Sequence, residues 1–177
     1  MPSRRRLPTR SELRTWRDFL ETTEKLRTVL AARLLSDTGL STGDYTVLLA
    51  LSEAEGNRMR SSEMAAHIGW ERSRLSHHLG RMERRGLIRR EHCVTDSRGA
   101  EAVLEPAGAE AFHGATVPHL QAVRELFVDA LDPEQLAAAG EVAAALRHHL
   151  AAITPASAER HDTTSSPPAA DHPPRRR

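Results

Sequence analysis

The sequence predicts a mainly α fold with a small β-hairpin wing, and three observations lead there. Apolar residues recur at helical spacing through most of the 177-residue chain. Residues 69–98 combine an amphipathic helix with a basic hairpin. In that helix Leu75, Leu79 and Met82 step by four and three into one narrow apolar stripe, and Gly86 stops it. Residues 87–94 and 100–104 then read as two short strands around the polar turn Thr95-Asp96-Ser97-Arg98-Gly99. Finally, a short helix over 63–68, joined through Gly69 to the next, has helix-turn-helix spacing. The expected architecture is a winged helix-turn-helix between N- and C-terminal dimerisation helices.

Taken in order, residues 1–8 are basic and aperiodic and are expected to form a flexible arm. Thr9-Arg10-Ser11-Glu12 matches a capping box, in which hydroxyl and carboxylate each satisfy a free amide at a helix start. Leu13, Trp16, Phe19, Leu20, Leu26, Leu30 and Leu34 then recur at threes and fours until Gly39. So long a stripe exceeds what a small core can cover, so part of it is expected to pack on a partner chain. Ser41-Thr42-Gly43-Asp44 offers a second start, and Tyr45, Leu48, Leu49 and Leu51 give a buried helix ending before Gly56. Residues 57–60 read as a connector, and Ser61 or Ser62 as the cap of the third helix, with Met64, Ala65 and Ile68 inward. After the hairpin, Pro106 suits the first position of a helix reaching about Leu131, which Gly108, Gly114 and Pro118 are expected to loosen or kink. Asp132-Pro133-Glu134-Gln135 restarts the chain as a last, alanine-rich helix. Residues 155–177 contain too few apolar groups to offset their ordering entropy and are expected to be disordered.

Charge is nearly balanced overall, with 25 basic and 24 acidic residues, but not along the chain. Residues 58–98 hold ten arginines against five acids, a net of +5, whereas 101–159 hold nine acids against two arginines, a net of −7. A basic face on an acidic body orients a molecule in the field of a polyanion. The single cysteine, Cys93, excludes an internal disulfide and fits a reducing cytoplasm. The longest apolar runs fall far short of the ~20 residues of a membrane span, and the N-terminus lacks the apolar core of a secretory signal.

The face of the 69–98 helix opposite its stripe carries Ser73, His77, Gly80 and Arg84, flanked by Ser76 on one side and by Arg74 and Arg81 on the other. Ser73, Arg74, Ser76, His77 and Arg81 are candidates for base edges and adjacent phosphates of double-stranded DNA. Ser62, Arg72, Arg84, Arg89 and Arg90 are candidates for phosphate, fixing register without reading sequence. His77 and His78 point about 100° apart and cannot share an ion within a helix. His113, His119, His148 and His149 have no cysteine or carboxylate at ligand spacing, so no metal or cofactor is expected. Cys93 beside His92 leaves a redox-responsive variant open. No phosphate-binding glycine loop, His-Glu-x-x-His or Gly-x-Ser-x-Gly occurs, and no enzyme is expected.

Ser62-Glu63-Met64-Ala65, the run from Arg74 through Leu79, the run from Arg81 through Arg90, and Asp96-Ser97-Arg98-Gly99 followed by Leu104 together resemble the multiple antibiotic resistance regulator (MarR) family of bacterial winged-helix transcription factors. The resemblance covers most of residues 16–150, although Glu105 stands where the family has threonine. It implies a MarR-like domain over 9–154, with dimerisation helices at 9–40 and 106–154 and a DNA-binding lobe at 44–105. It also implies an obligate homodimer, Arg98 entering the minor groove from the wing with Asp96 positioning it, and a small anionic or aromatic effector between dimer helices and DNA-binding lobe. Trp16, Phe19 and Tyr45 are the candidates for that pocket. The expected function is a cytoplasmic repressor that binds a pseudo-palindromic operator and is released by the effector. The alternatives are a winged-helix protein-interaction module without duplex binding, or a metal- or redox-responsive regulator of the same fold.

Overall fold

A computed structural model describes residues 6–92 and 100–153. The chain divides into two compact units, the first through Leu131 and the second from Asp132.

In the first unit, α1 (Arg10–Thr38) opens on the predicted box. The Thr9 hydroxyl accepts from the Glu12 N–H at 3.2 Å, and the Glu12 carboxylate accepts from the Thr9 N–H at 2.6 Å. Gly39, at φ 71°, ends the helix in a left-handed turn that a side chain would strain. A second box, Ser41 with Asp44, opens α2 (Thr42–Glu53), whose Val47, Leu48 and Leu51 are fully buried.

The structure departs from two local expectations. Arg58–Arg60 is not a connector but strand β1, antiparallel to β3 with Met59 opposite Ala102. Three residues are too few to show a period, and their partner lies more than 40 residues downstream, as the register Arg60↔Glu101 shows. Nor does Ser61 or Ser62 cap α3 (Ser61–Ile68). The helix leaves the strand directly, Arg60 holds the cap position with no side-chain capping bond to the helix, and both serines lie inside the first turn. Gly69, at φ 69°, turns the chain into α4 (Arg72–Arg84). β2 (Ile88–His92) and β3 (Ala100–Leu104) complete an antiparallel sheet of order β1-β3-β2 among the described residues.

α5 (Pro106–Val123) starts on Pro106 and packs against α1 and α2. It stays α-helical through Gly108, Gly114 and Pro118, and ends at Val123, short of the expected Leu131. Gly108 is instead a buried point of close contact with Leu87. The irregularity falls downstream, at a π turn over Arg124–Val128.

The core of this unit is the meeting of Leu34, Leu40, Leu48, Leu51, Met64, Leu75, Leu79, Met82 and Ile88. α1 contributes only Leu34 to it as a buried residue. Leu13, Trp16, Phe19 and Leu20 along its first half remain 44–59% exposed. In the second unit, α6 (Pro133–Ile153) opens on reciprocal bonds between Asp132 and Gln135. It likewise leaves Val142, Leu146, Leu150 and Ile153 about half exposed. Among the described residues no helix is long and apolar enough to cross a membrane.

Candidate nucleic-acid interface

α4 is held from below. Leu75, Leu79 and Met82 are buried as their spacing predicts, and His78 joins them at only 7% exposure. His78 lies three residues beyond Leu75 and four before Met82, so it belongs to the apolar stripe by position. The outward arc carries Arg72, Ser73, Ser76, His77 and Arg84, all exposed, with no side-chain hydrogen bond or ion pair among the described residues. Ser62 is exposed in the first turn of α3. An unpaired set of donors on a braced helix is the chemistry a major groove accepts.

Two of the flanking arginines are not free. The Arg74 guanidinium stacks 4.5 Å above the Trp70 ring, and Arg81 Nη2 donates to His78 Nδ1 at 2.8 Å. Arg89 and Arg90, expected to hold phosphate, already have carboxylate partners. Arg89 donates to Glu105 at 2.6 Å and to Glu91 at 2.8 Å, and these two acids raise its pKa. Arg90 gives its backbone N–H and its guanidinium to Glu83, at 3.0 and 2.8 Å, which holds the Glu83 carboxyl below the usual glutamate range. This clamp ties β2 to the end of α4. Both side chains are about one-third exposed, so replacing Glu83 with alanine is expected to lower stability by only about 1 kcal/mol in chemical denaturation. Asp96, Arg98 and Cys93 lie outside the described residues.

Behind α4 is a polar node that sequence reasoning missed. Asp44, 4% exposed, takes Arg85 Nη1 on Oδ2 at 2.7 Å and faces His78 Nε2 across 3.1 Å from Oδ1. His78 Nε2 faces this oxygen without the geometry of a full hydrogen bond. Burial alone pushes the Asp44 carboxyl up. His78, Arg85 and the N–H and hydroxyl of Ser41 outweigh it and hold the group well below the usual aspartate range. Arg85 also donates to Gly39 O at 3.2 Å, so the end of α4 is fastened to the α1–α2 junction. The signal in the sequence was an acid at the N3 position of a capping box, which reads as local when it also has long-range partners.

A cleft of about 640 Å³ opens where α1, the start of α2, the Gly69–Glu71 turn, α4 and α5 meet. Arg27, Arg74 and Arg81 place cationic groups on its wall, and Trp70, His78 and His119 place rings there. Burial lowers the His119 pKa, and its Nδ1 has no hydrogen-bond partner among the described residues. Of the residues expected to form a pocket, Tyr45 packs on Phe112 and on His119, with centroids 5.2 and 4.7 Å away. Trp16 lies elsewhere on α1, beside Leu13 and the segment Arg6–Pro8, and Phe19 is 46% exposed on the same half of that helix. Trp70, not Trp16, is the large aromatic of the cleft. Among the described residues no cluster of three or more metal-ligating groups occurs.

Comparison with known proteins gives a consistent result. Residues 38–99 match the MarR family. AbsC, a MarR family transcriptional regulator from Streptomyces coelicolor, is 39% identical with a TM-score of 0.75, over 83% of this chain and 99% of that one. Sco3205, a regulator of the same family and organism whose structure is in complex with DNA, is 34% identical with a TM-score of 0.78, over 87% and 95%. The organohalide-sensing regulator RdhR-CbdbA1625, in a 2,4-dichlorophenol-bound form, is 18% identical with a TM-score of 0.72, over 97% and 100%, and shares the fold. A comparison with curated proteins finds no match.

Proposed function

Because the chain belongs to the MarR family of DNA-binding, non-enzymatic transcriptional regulators, we propose that it is a cytoplasmic homodimeric repressor of a pseudo-palindromic operator, released by a small-molecule effector. The observation that carries the DNA assignment is the outward arc of α4, where Arg72, Ser73, Ser76, His77 and Arg84 are exposed donors above a fully buried stripe. The 34%-identical relative in complex with DNA supports it. Ser73, Ser76 and His77 read base edges in the major groove, with Arg74 and Arg81 at the flank. Ser62, Arg72 and Arg84 bind phosphate. Arg98 enters the minor groove from the wing, and Asp96 positions it.

The half-exposed apolar faces of α1 and α6 support dimerisation, since each presents several large side chains that one chain leaves uncovered. In this reading 9–40 and 106–154 are dimerisation segments, and 44–105 is the DNA-binding lobe. Two equivalent α4 helices then meet half-sites about one helical turn apart.

The effector site is the cleft behind α4. Its arginines and rings suit a small anionic or aromatic molecule, and a regulator of the same fold is described with dichlorophenol bound. Arg74, His78 and Arg81 belong to the cleft and to the reading helix at once, so an occupant favours one placement of α4. It lowers DNA affinity by its own preference between placements and no more.

The test is fluorescence anisotropy of labelled DNA from immediately upstream of the coding gene, with scrambled duplex as control, at several salt concentrations. Upstream DNA is expected to bind at least ~10³-fold tighter than scrambled DNA. Arg98→Ala is expected to cost about 1–3 kcal/mol and relax one position of the site. Arg84→Ala should weaken both duplexes together and lower the salt slope by about 1. Absence of binding to either duplex at low salt would sink the DNA reading in favour of a protein-interaction module.

A further inference from the structure

His78 is a titratable ring in the buried stripe of the reading helix, and its two nitrogens have opposite neighbours. Arg81 Nη2 lies 2.8 Å from Nδ1, and a guanidinium can only donate. Nδ1 is therefore the bare nitrogen, and the proton sits on Nε2, facing Asp44 Oδ1 across 3.1 Å. The Trp70 ring meets His78 edge-on, with centroids 5.3 Å apart, and Arg74 covers Trp70. Gly43 leaves the room for this packing, because a Cβ there would stand 2.8 Å from His78 Cε1.

We propose that His78 is a positioning residue for DNA reading: its bare Nδ1 holds Arg81 in one conformation on the flank of α4, and losing that acceptor releases Arg81 and lowers sequence discrimination. The proposal rests on the reading that α4 enters a DNA groove. A held arginine arrives at the groove already ordered, whereas a released one must be ordered there and accepts more geometries. Asp44, from α2, does not replace that acceptor, being already shared with Arg85 at the end of α4.

The experiment uses the full chain and reports the ratio of affinities for upstream and scrambled DNA at fixed neutral pH and salt. A uniform change of charge alters both complexes and cancels in the ratio. His78→Phe, which keeps a ring but no acceptor, should lower the ratio about tenfold. His78→Asn, with an amide oxygen near the place of Nδ1, should recover most of the ratio. Adding Arg81→Met to His78→Phe should cost nothing further, since the two act as one unit.

A His78→Phe protein that discriminates like wild type overturns the proposal. So does a His78→Asn protein whose ratio falls as far as that of His78→Phe, which would make the packing of the ring, and not its acceptor, the cause. If His78→Phe fails to fold, nitrogen-15 spectra of labelled histidine in wild type and Arg81→Met decide. The bare Nδ1 resonance should move toward that of an unbonded imidazole when Arg81 is lost, and an unmoved resonance overturns the proposal. Equal binding of both duplexes by wild type is a failure of DNA reading itself; it overturns the proposal too, and is recognised because no variant then changes the ratio.

Discussion

Gly108→Ala is expected to destabilise the protein by about 3 kcal/mol, read as a lower midpoint in chemical denaturation with little change in slope. Alanine is intrinsically the better helix former by up to about 1 kcal/mol, so propensity alone argues for the opposite sign. Sterics decide it. A Cβ at Gly108 would lie 2.0 Å from Leu87 O, 2.9 Å from Leu87 C and 3.0 Å from Leu104 Cδ1. Two of these atoms are backbone and cannot rotate away. The carbonyl is further fixed because it accepts the Glu105 N–H at 3.1 Å, so moving it breaks the bond that joins the end of β3 to the start of β2. Leu87 sits between α4 and the wing. The variant should therefore also weaken specific DNA binding more than nonspecific binding, at temperatures where it remains folded.

The sequence made the large features legible because each rests on a strong local signal. Both capping boxes at the starts of α1 and α2, the left-handed glycines at 39 and 69, and the apolar stripe of α4 occur where spacing placed them. Gly108 was misread for a physical reason. A glycine in a helical pattern looks like a weakness of that helix, and only the path of Leu87 shows that it is a contact. β1 was invisible because its period is too short and its partner too distant. On the interface, composition could show that arginines were abundant but not which were spent. Arg89 and Arg90 pair with Glu91, Glu105 and Glu83, while Arg72 and Arg84 make no side-chain hydrogen bond or ion pair among the described residues. His78 was the one site residue that the stripe itself could have revealed, since three and four residues separate it from Leu75 and Met82.

Asp44→Ala is the second large effect, an expected loss of about 3 kcal/mol at neutral pH. The cap contributes about 1 kcal/mol, because Asp44 accepts the Ser41 N–H at 3.0 Å and so closes the box at the start of α2. The rest comes from stranding its partners. His78 Nε2, buried and already without a full hydrogen bond, would lose the carboxylate that faces it across 3.1 Å. Arg85 is 45% exposed, so its loss of a partner is discounted, water taking the place of the carboxylate. The pH dependence fixes the sign of the carboxylate's role. Its folded pKa is depressed, so its stabilisation is fully present above the unfolded value of about 4 and is lost as pH falls through the folded pKa. The stability gap between wild type and Asp44→Ala should therefore be constant from neutral pH to about pH 5 and narrow below about pH 4. Asp44→Asn separates the two contributions. It preserves an acceptor for Ser41 and loses the charge, so it should fall between wild type and alanine at neutral pH, with a gap that narrows over the same acidic window. A gap between wild type and Asp44→Ala that stays constant into that window would mean that the carboxylate acts there as a cap alone, with His78 and Arg85 contributing nothing through its charge.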